Sequence, residues 1–297
     1  MNPGLILSLT AGLVWSVGNA IDKVSVSKIV RSPLGLWYIF VILSVLTGLT
    51  VLPFATHQPA GTDLIRFFGI GVLYSFGTFC YFWAMQKEEP SRVVPLYSLV
   101  VLFLAVFGAL FLDEVFSFVT YIAIALLIIG TIGITAHGSF RSVLSSRALG
   151  IMVLSSLGYA LAYVLMKGLL NSYTPYDVFA YQRMATGLVG LLFLPFAYHH
   201  MKGILLAIPR KRLIGWSFLS EFFGESGAFL FIIAASVWYV TLVETVVNIQ
   251  FVFIFLWGFI VTKTWPRLYT EVISRRVIFQ KAVSIALIII GIAIISR

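Results

Sequence analysis

Residues 116–136 read FSFVTYIAIALLIIGTIGITA, twenty-one positions without a charged side chain. A helix rises about 1.5 Å per residue, so such a run reaches across the roughly 30 Å of a bilayer's hydrocarbon core. Its centre, IALLIIG at 124–130, returns as IALIIIG at 285–291. A spanning helix that recurs near the end of the chain predicts both the solvent and the architecture.

Further apolar runs bounded by Pro, Gly or charge fall at 3–22, 33–53, 64–86, 93–112, 150–170, 177–198, 213–237, 241–262 and 280–296. The sequence therefore predicts an all-α membrane protein of ten transmembrane helices. Pro33 and Pro175 suit first-turn positions, where a missing N–H is no loss, and Lys87-Glu88-Glu89-Pro90 ends the third run. The first run is too long for a signal-peptide core and lacks a basic flank, so it reads as a retained first helix. Composition agrees: 60% of residues are hydrophobic, 10% are charged, and mean hydropathy is +1.03, against about 25% charge in a soluble domain. The single Cys80 rules out a disulfide framework and a cysteine metal site.

The net charge of +9 sets topology and is not a nucleic-acid signal. The Lys and Arg gather in the gaps between helices 1–2, 3–4, 5–6, 7–8 and 9–10, leaving Arg66, Lys167 and Arg297 on the other side and Arg183 inside helix 7. By the positive-inside rule, residues 199–212 and 263–281 are expected in the cytoplasm and both termini outside.

The halves align in four ordered blocks. Pro33 to Pro53-Phe54 repeats as Pro175 to Pro195-Phe196, and Trp15…Lys23 as Tyr159…Lys167. Gly77, Ala84 and Gly108 fall 150 residues before Gly227, Ala234 and Gly258, and the 124–130 run repeats at 285–291. Five helices per half put the second half into the membrane from the opposite side, an inverted 5+5 repeat that suits alternating access. The expected units are a first repeat at 1–137, a connecting loop at 138–149 and a second repeat at 150–297.

These residues resemble the drug/metabolite transporter superfamily, in its EamA-type branch of ten-helix exporters. The resemblance covers the whole chain. It rests on Trp15…Asn19…Lys23, on Ala84-Met85 to Ser91-Arg92-Val93-Val94-Pro95-Leu96, and on Leu110-Phe111-Leu112-Asp113-Glu114, which is similar to the family's apolar run closing on Glu. It implies that helices 1–4 and 6–9 line a central cavity while helices 5 and 10 brace the outside. Two departures stand out. Thr264 occupies the repeat position of Glu114, and the family is described with both termini cytoplasmic, opposite to the charge count.

An ionisable group deep in an apolar helix costs at least about 2.5 kcal/mol on insertion, so each should face a cavity or a partner. Glu221 and Glu225 share a face of helix 8. Two such carboxylates in low dielectric do not both ionise, and Glu225, aligned with uncharged Ser75, is the expected proton-exchanging group. Arg183 needs an anion: Glu225, Glu244 or a substrate carboxylate or phosphate. Asn248, Gln182, Gln250 and Asn19 offer neutral hydrogen bonds. Asp22-Lys23 reads as an interfacial pair, and Asp113-Glu114 as an isolated acidic pair at a helix end. Tyr159, Tyr163, Trp15, Tyr74, Tyr81 and Trp83 offer aromatic walls for an amine, although rings at this density mostly pack. His57, His137, His199 and His200 sit at helix or loop ends and do not form a metal set.

No phosphate loop, metal motif or catalytic set is present, so neither an ATP-driven pump nor an enzyme is expected, and no cofactor is called for. The expected function is a secondary transporter in the plasma (inner) membrane. It would move small polar metabolites such as amino acids or amines outward, with protons as a coupling partner, as a monomer or homodimer. An exchanger of nucleotide sugars or sugar phosphates would want more buried cations than Arg183 alone. A lipid flippase is the rival from another class.

Overall fold

The computed structural model describes residues 2–24, 32–88, 93–135, 148–193, 195, 210–264 and 275–296. Among these residues there is no strand, and eleven helices carry the chain. They are α1 Pro3–Val24, α2 Pro33–Val51, α3 Thr62–Lys87, α4 Leu99–Phe111, α5 Phe118–Thr135, α6 Leu149–Leu169, α7 Pro175–Leu192, α8 Arg210–Val237, α9 Val240–Val247, α10 Gln250–Thr264 and α11 Arg275–Ile295. Nine spans among the described residues are long and apolar enough to cross a membrane, with α9 and α10 together forming one of them. The tenth expected crossing, α7, is helical over 18 residues but carries Asp177, Gln182 and Arg183. Ser91, Arg92, His137, His199, His200, the 199–209 stretch and most of the 138–149 loop lie outside the described residues.

Local chemistry sets the helix starts. Ser32 accepts the Gly35 N–H ahead of Pro33. Thr174 and Asp177 form a reciprocal capping box around Pro175, so both prolines stand where the sequence put them. α3 stops at Lys87 as expected. Three boundaries differ. α8 and α11 begin at Arg210 and Arg275, several residues before their apolar runs, because basic side chains are good helix formers and interrupt no ladder. The fourth crossing opens as a 3-10 turn at Val94–Ser98, since Pro95 cannot donate an α-helical bond. The ninth crossing breaks at Asn248-Ile249, where the Asn248 side chain and backbone N–H both turn onto the Glu244 carbonyl. The two irregular points, Ser98 and Asn248, stand 150 residues apart in the chain.

Helices of the two halves pack on one another: α1 on α8, α2 on α7, α3 on α6 and α5 on α11. The α5–α11 contact is reciprocal. A Cβ on Gly130 would stand 2.8 Å from the Ser284 carbonyl oxygen and 2.7 Å from Ile288, and one on Gly291 would stand 2.9 Å from the Ala123 oxygen and from Leu127. Residues 123, 127 and 130 are the 161-residue counterparts of 284, 288 and 291. Only glycine allows backbones that close. The buried core runs through Val100, Leu104, Tyr163, Phe231 and Val243, while Leu46, Phe111, Phe118, Phe222 and Phe279 face outward, an apolar exterior suited to lipid.

Candidate functional site

Arg183 lies about two turns into α7, and its residue exposure is 2%. Of the anions the sequence offered, it meets Glu225 of α8, with Nε 2.6 Å from Oε2. The guanidinium carbon sits 5.1 Å from the centre of the Tyr74 ring and 5.4 Å from that of Phe179. The short contact makes the two an ion pair, and Arg183 Nη1 is buried without a hydrogen-bond partner in the protein. Glu221, one turn back on α8, is half-buried, with Glu225, Asp22 and Arg183 as its charged neighbours. With Nε taken up by Glu225 and Nη1 without a partner in the protein, the guanidinium can still donate to a second anion.

Glu244 of α9 is 1% exposed, and neither carboxylate oxygen meets a donor from the protein. Its ionisable neighbours are Tyr74, Tyr97 and Tyr163. Tyr74 links the two charged centres, since Arg183, Glu225 and Glu244 all act on its hydroxyl. One turn further, Asn248 donates Nδ2 to the Glu244 carbonyl at 3.0 Å, which leaves its buried Oδ1 unpartnered.

The rings around these groups form one set. Tyr74 meets Tyr159 edge-on at 5.1 Å, Tyr97 meets Tyr159 at 5.6 Å, and Tyr159 stacks with Tyr163 at 6.2 Å. Tyr159 donates its hydroxyl to Thr78 at 2.9 Å. Phe231 closes the set, 4.7 Å from Tyr163 and 5.8 Å from Trp15. Tyr97 and Phe231 were not singled out in the sequence. Tyr97 follows Pro95 in a stretch read as a junction, and Phe231 is one of 26 phenylalanines.

Other expected residues lie elsewhere. Asn19 donates to Gln250 Oε1 at 2.7 Å and so ties α1 to α10, away from Arg183. Asp22 accepts from Ser220 of α8, a bond between helices, while the Lys23 side chain lies outside the described ones. Trp83 is partly exposed on the outer surface and Tyr81 packs on Phe82 and Tyr97. Gln182 is buried with Oε1 unpartnered. His57 is exposed, with Nδ1 3.0 Å from Asp177. Among the described residues no three His, Cys, Asp or Glu side chains are placed to hold a metal ion.

One reading needs correction. Glu114 is not an isolated acid at a helix end. It is 1% exposed and accepts the N–H groups of Val240 at 2.8 Å and Thr241 at 3.0 Å, capping the start of α9 from the opposite half. Lys167 completes that corner by donating to the carbonyls of Ala235 and Trp238 at the end of α8. Asp177 likewise accepts from Thr56 and His57 across the halves.

With this geometry in view, residues 2–136 match the model of the EamA-like transporter family. The match covers the first part of the chain and is consistent with membership of the drug/metabolite transporter superfamily. A transporter family of this kind accords with the multi-pass bundle. Twenty-eight solved chains match the fold; one, titled only as the crystal structure of a protein, is 17% identical, with a TM-score of 0.71 over 98% of this chain and 97% of its own. No curated protein matches the sequence.

Proposed function

We propose that this EamA-type protein is a secondary transporter that carries small polar metabolites, amino acids or amines, outward by alternating access. The observation that carries the reading is the central cluster: a buried Arg183–Glu225 pair that leaves Arg183 Nη1 without a partner, a buried Glu244 without a donor, and four tyrosines around them. A zwitterion supplies what each lacks, an acid group for Arg183 and an ammonium for a carboxylate. When the substrate's acid group takes Arg183, Glu225 loses its counter-ion and accepts a proton, which keeps the site neutral in a low dielectric and couples transport to pH.

The inverted repeat is part of the proposal. Packing of α1 on α8 has its counterpart in α6 on α3, and Gly130 and Gly291 exchange roles, as a two-fold relation in the membrane plane requires. Matching breaks near Ser98 and Asn248 support it, because discontinuous helices surround transport sites in such folds. Both termini are placed outside by the charge rule. Reporter fusions at 205 and 272 test this, and a periplasm-only reporter active there would invert it.

The substrate class is tested by thermal stabilisation of the purified protein with amino acids, amines, sugar phosphates and lipid headgroups. Stabilisation by amino acids or amines is expected. Stabilisation by sugar phosphates or lipid headgroups alone would replace the reading with the exchanger or the flippase.

A further inference from the structure

Glu244 differs from the other buried carboxylates of the bundle. Glu114 holds two backbone N–H groups, Asp177 holds those of Thr56, His57 and Thr174, and Glu225 lies against Arg183. Both Glu244 oxygens are without a donor. A lone charge so buried is costly in a low dielectric, so Glu244 calls for a proton or a cation. The ionisable groups that face it are Tyr74 from α3, Tyr97 from the start of the fourth crossing and Tyr163 from α6. None of them is a cation. Lys167 of α6 is committed to the α8 carbonyls, and Arg183 of α7 to Glu225. Beside it the helix break leaves Asn248 Oδ1 as a further buried acceptor without a donor.

Carboxylate, amide oxygen and phenol oxygens together lack one thing, a compact cation with several N–H donors. We propose that Glu244, with Asn248 Oδ1 and the Tyr74, Tyr97 and Tyr163 hydroxyls, is the ammonium subsite of the transport site. This deepens the amino-acid and amine reading and rests on it. The exchange balances: the Glu244 O–H bond breaks, its proton passes to solvent, and the incoming ammonium takes its place beside the carboxylate.

The test uses the purified full chain, the 20 protein amino acids and the amine obtained from each by decarboxylation. Binding is followed by thermal shift and by calorimetry in two buffers of different protonation enthalpy. The wild type is expected to bind at least one of these amines with release of about one proton. Glu244→Gln is expected to lose at least about tenfold in amine affinity together with the proton release. Unchanged amine binding and proton release in Glu244→Gln would overturn the subsite and leave the amino-acid reading standing. A wild type that binds no amino acid and no amine would end both. Should Glu244→Gln fail to fold, Asn248→Ala and Tyr97→Phe decide: weaker amine affinity supports the subsite, and unchanged affinity in both overturns it.

Discussion

The corner where α8 meets α9 and the centre of the bundle both bury charge, but they treat it in opposite ways. At the corner every charge has its hydrogen bonds: Glu114 holds the α9 N–H groups and Lys167 the α8 carbonyls. At the centre the Arg183–Glu225 pair and Glu244 retain polar atoms without partners in the protein. A satisfied buried charge fixes one arrangement of helices, whereas an unsatisfied one is open to a ligand. On the proposed function, the contrast separates the residues that hold the fold from those that serve transport.

The largest stability effect is expected from breaking the contrast at Arg183. Arg183→Met leaves Glu225 buried beside no cation and should lower stability by about 3–5 kcal/mol in a thermal melt. Adding Glu225→Met should restore most of that loss while transport stays absent. At the corner, Glu114→Ala strands two buried N–H groups and should cost about 2–4 kcal/mol, more than Lys167→Met, since Lys167 is only half-buried whereas Glu114 is 1% exposed.

Why the centre was only partly legible follows from these residues. The sequence required an anion for Arg183, because a guanidinium in an apolar helix must have one, but the choice of Glu225 over Glu244 depends on how α7 packs on α8. Glu114 was misread because its partners are backbone N–H groups 126 and 127 residues away, which leave no side-chain signature. The helix ends at Pro33, Pro175 and Lys87 were legible, since each rests on a local rule. The break at Asn248 was not, because Val246, Val247 and Ile249 continue the apolar run across it.

Smaller effects sharpen the comparison between halves. A Cβ on Gly227 would stand 2.7 Å from the Trp15 ring, and one on Gly77 would stand 3.1 Å from the Ser155 oxygen and 3.3 Å from the Tyr159 ring. The proposed repeat pairs Trp15 with Tyr159, so Gly227→Ala and Gly77→Ala should each destabilise by about 1–3 kcal/mol, and a large loss at one with none at the other would count against the repeat. The smallest stability change is expected at Glu244→Gln, within about 0.5 kcal/mol of wild type, since no protein hydrogen bond to its carboxylate is lost.

The central claim, that the unsatisfied charges at the centre carry transport, is tested most directly by substrate flux in reconstituted vesicles at two pH values. Wild type is compared with Glu225→Gln, which keeps the shape of the side chain but cannot titrate. The account predicts a folded variant whose pH-dependent flux is lost. Flux at the wild-type rate with the same pH dependence would contradict it and leave Glu225 as a contact between helices.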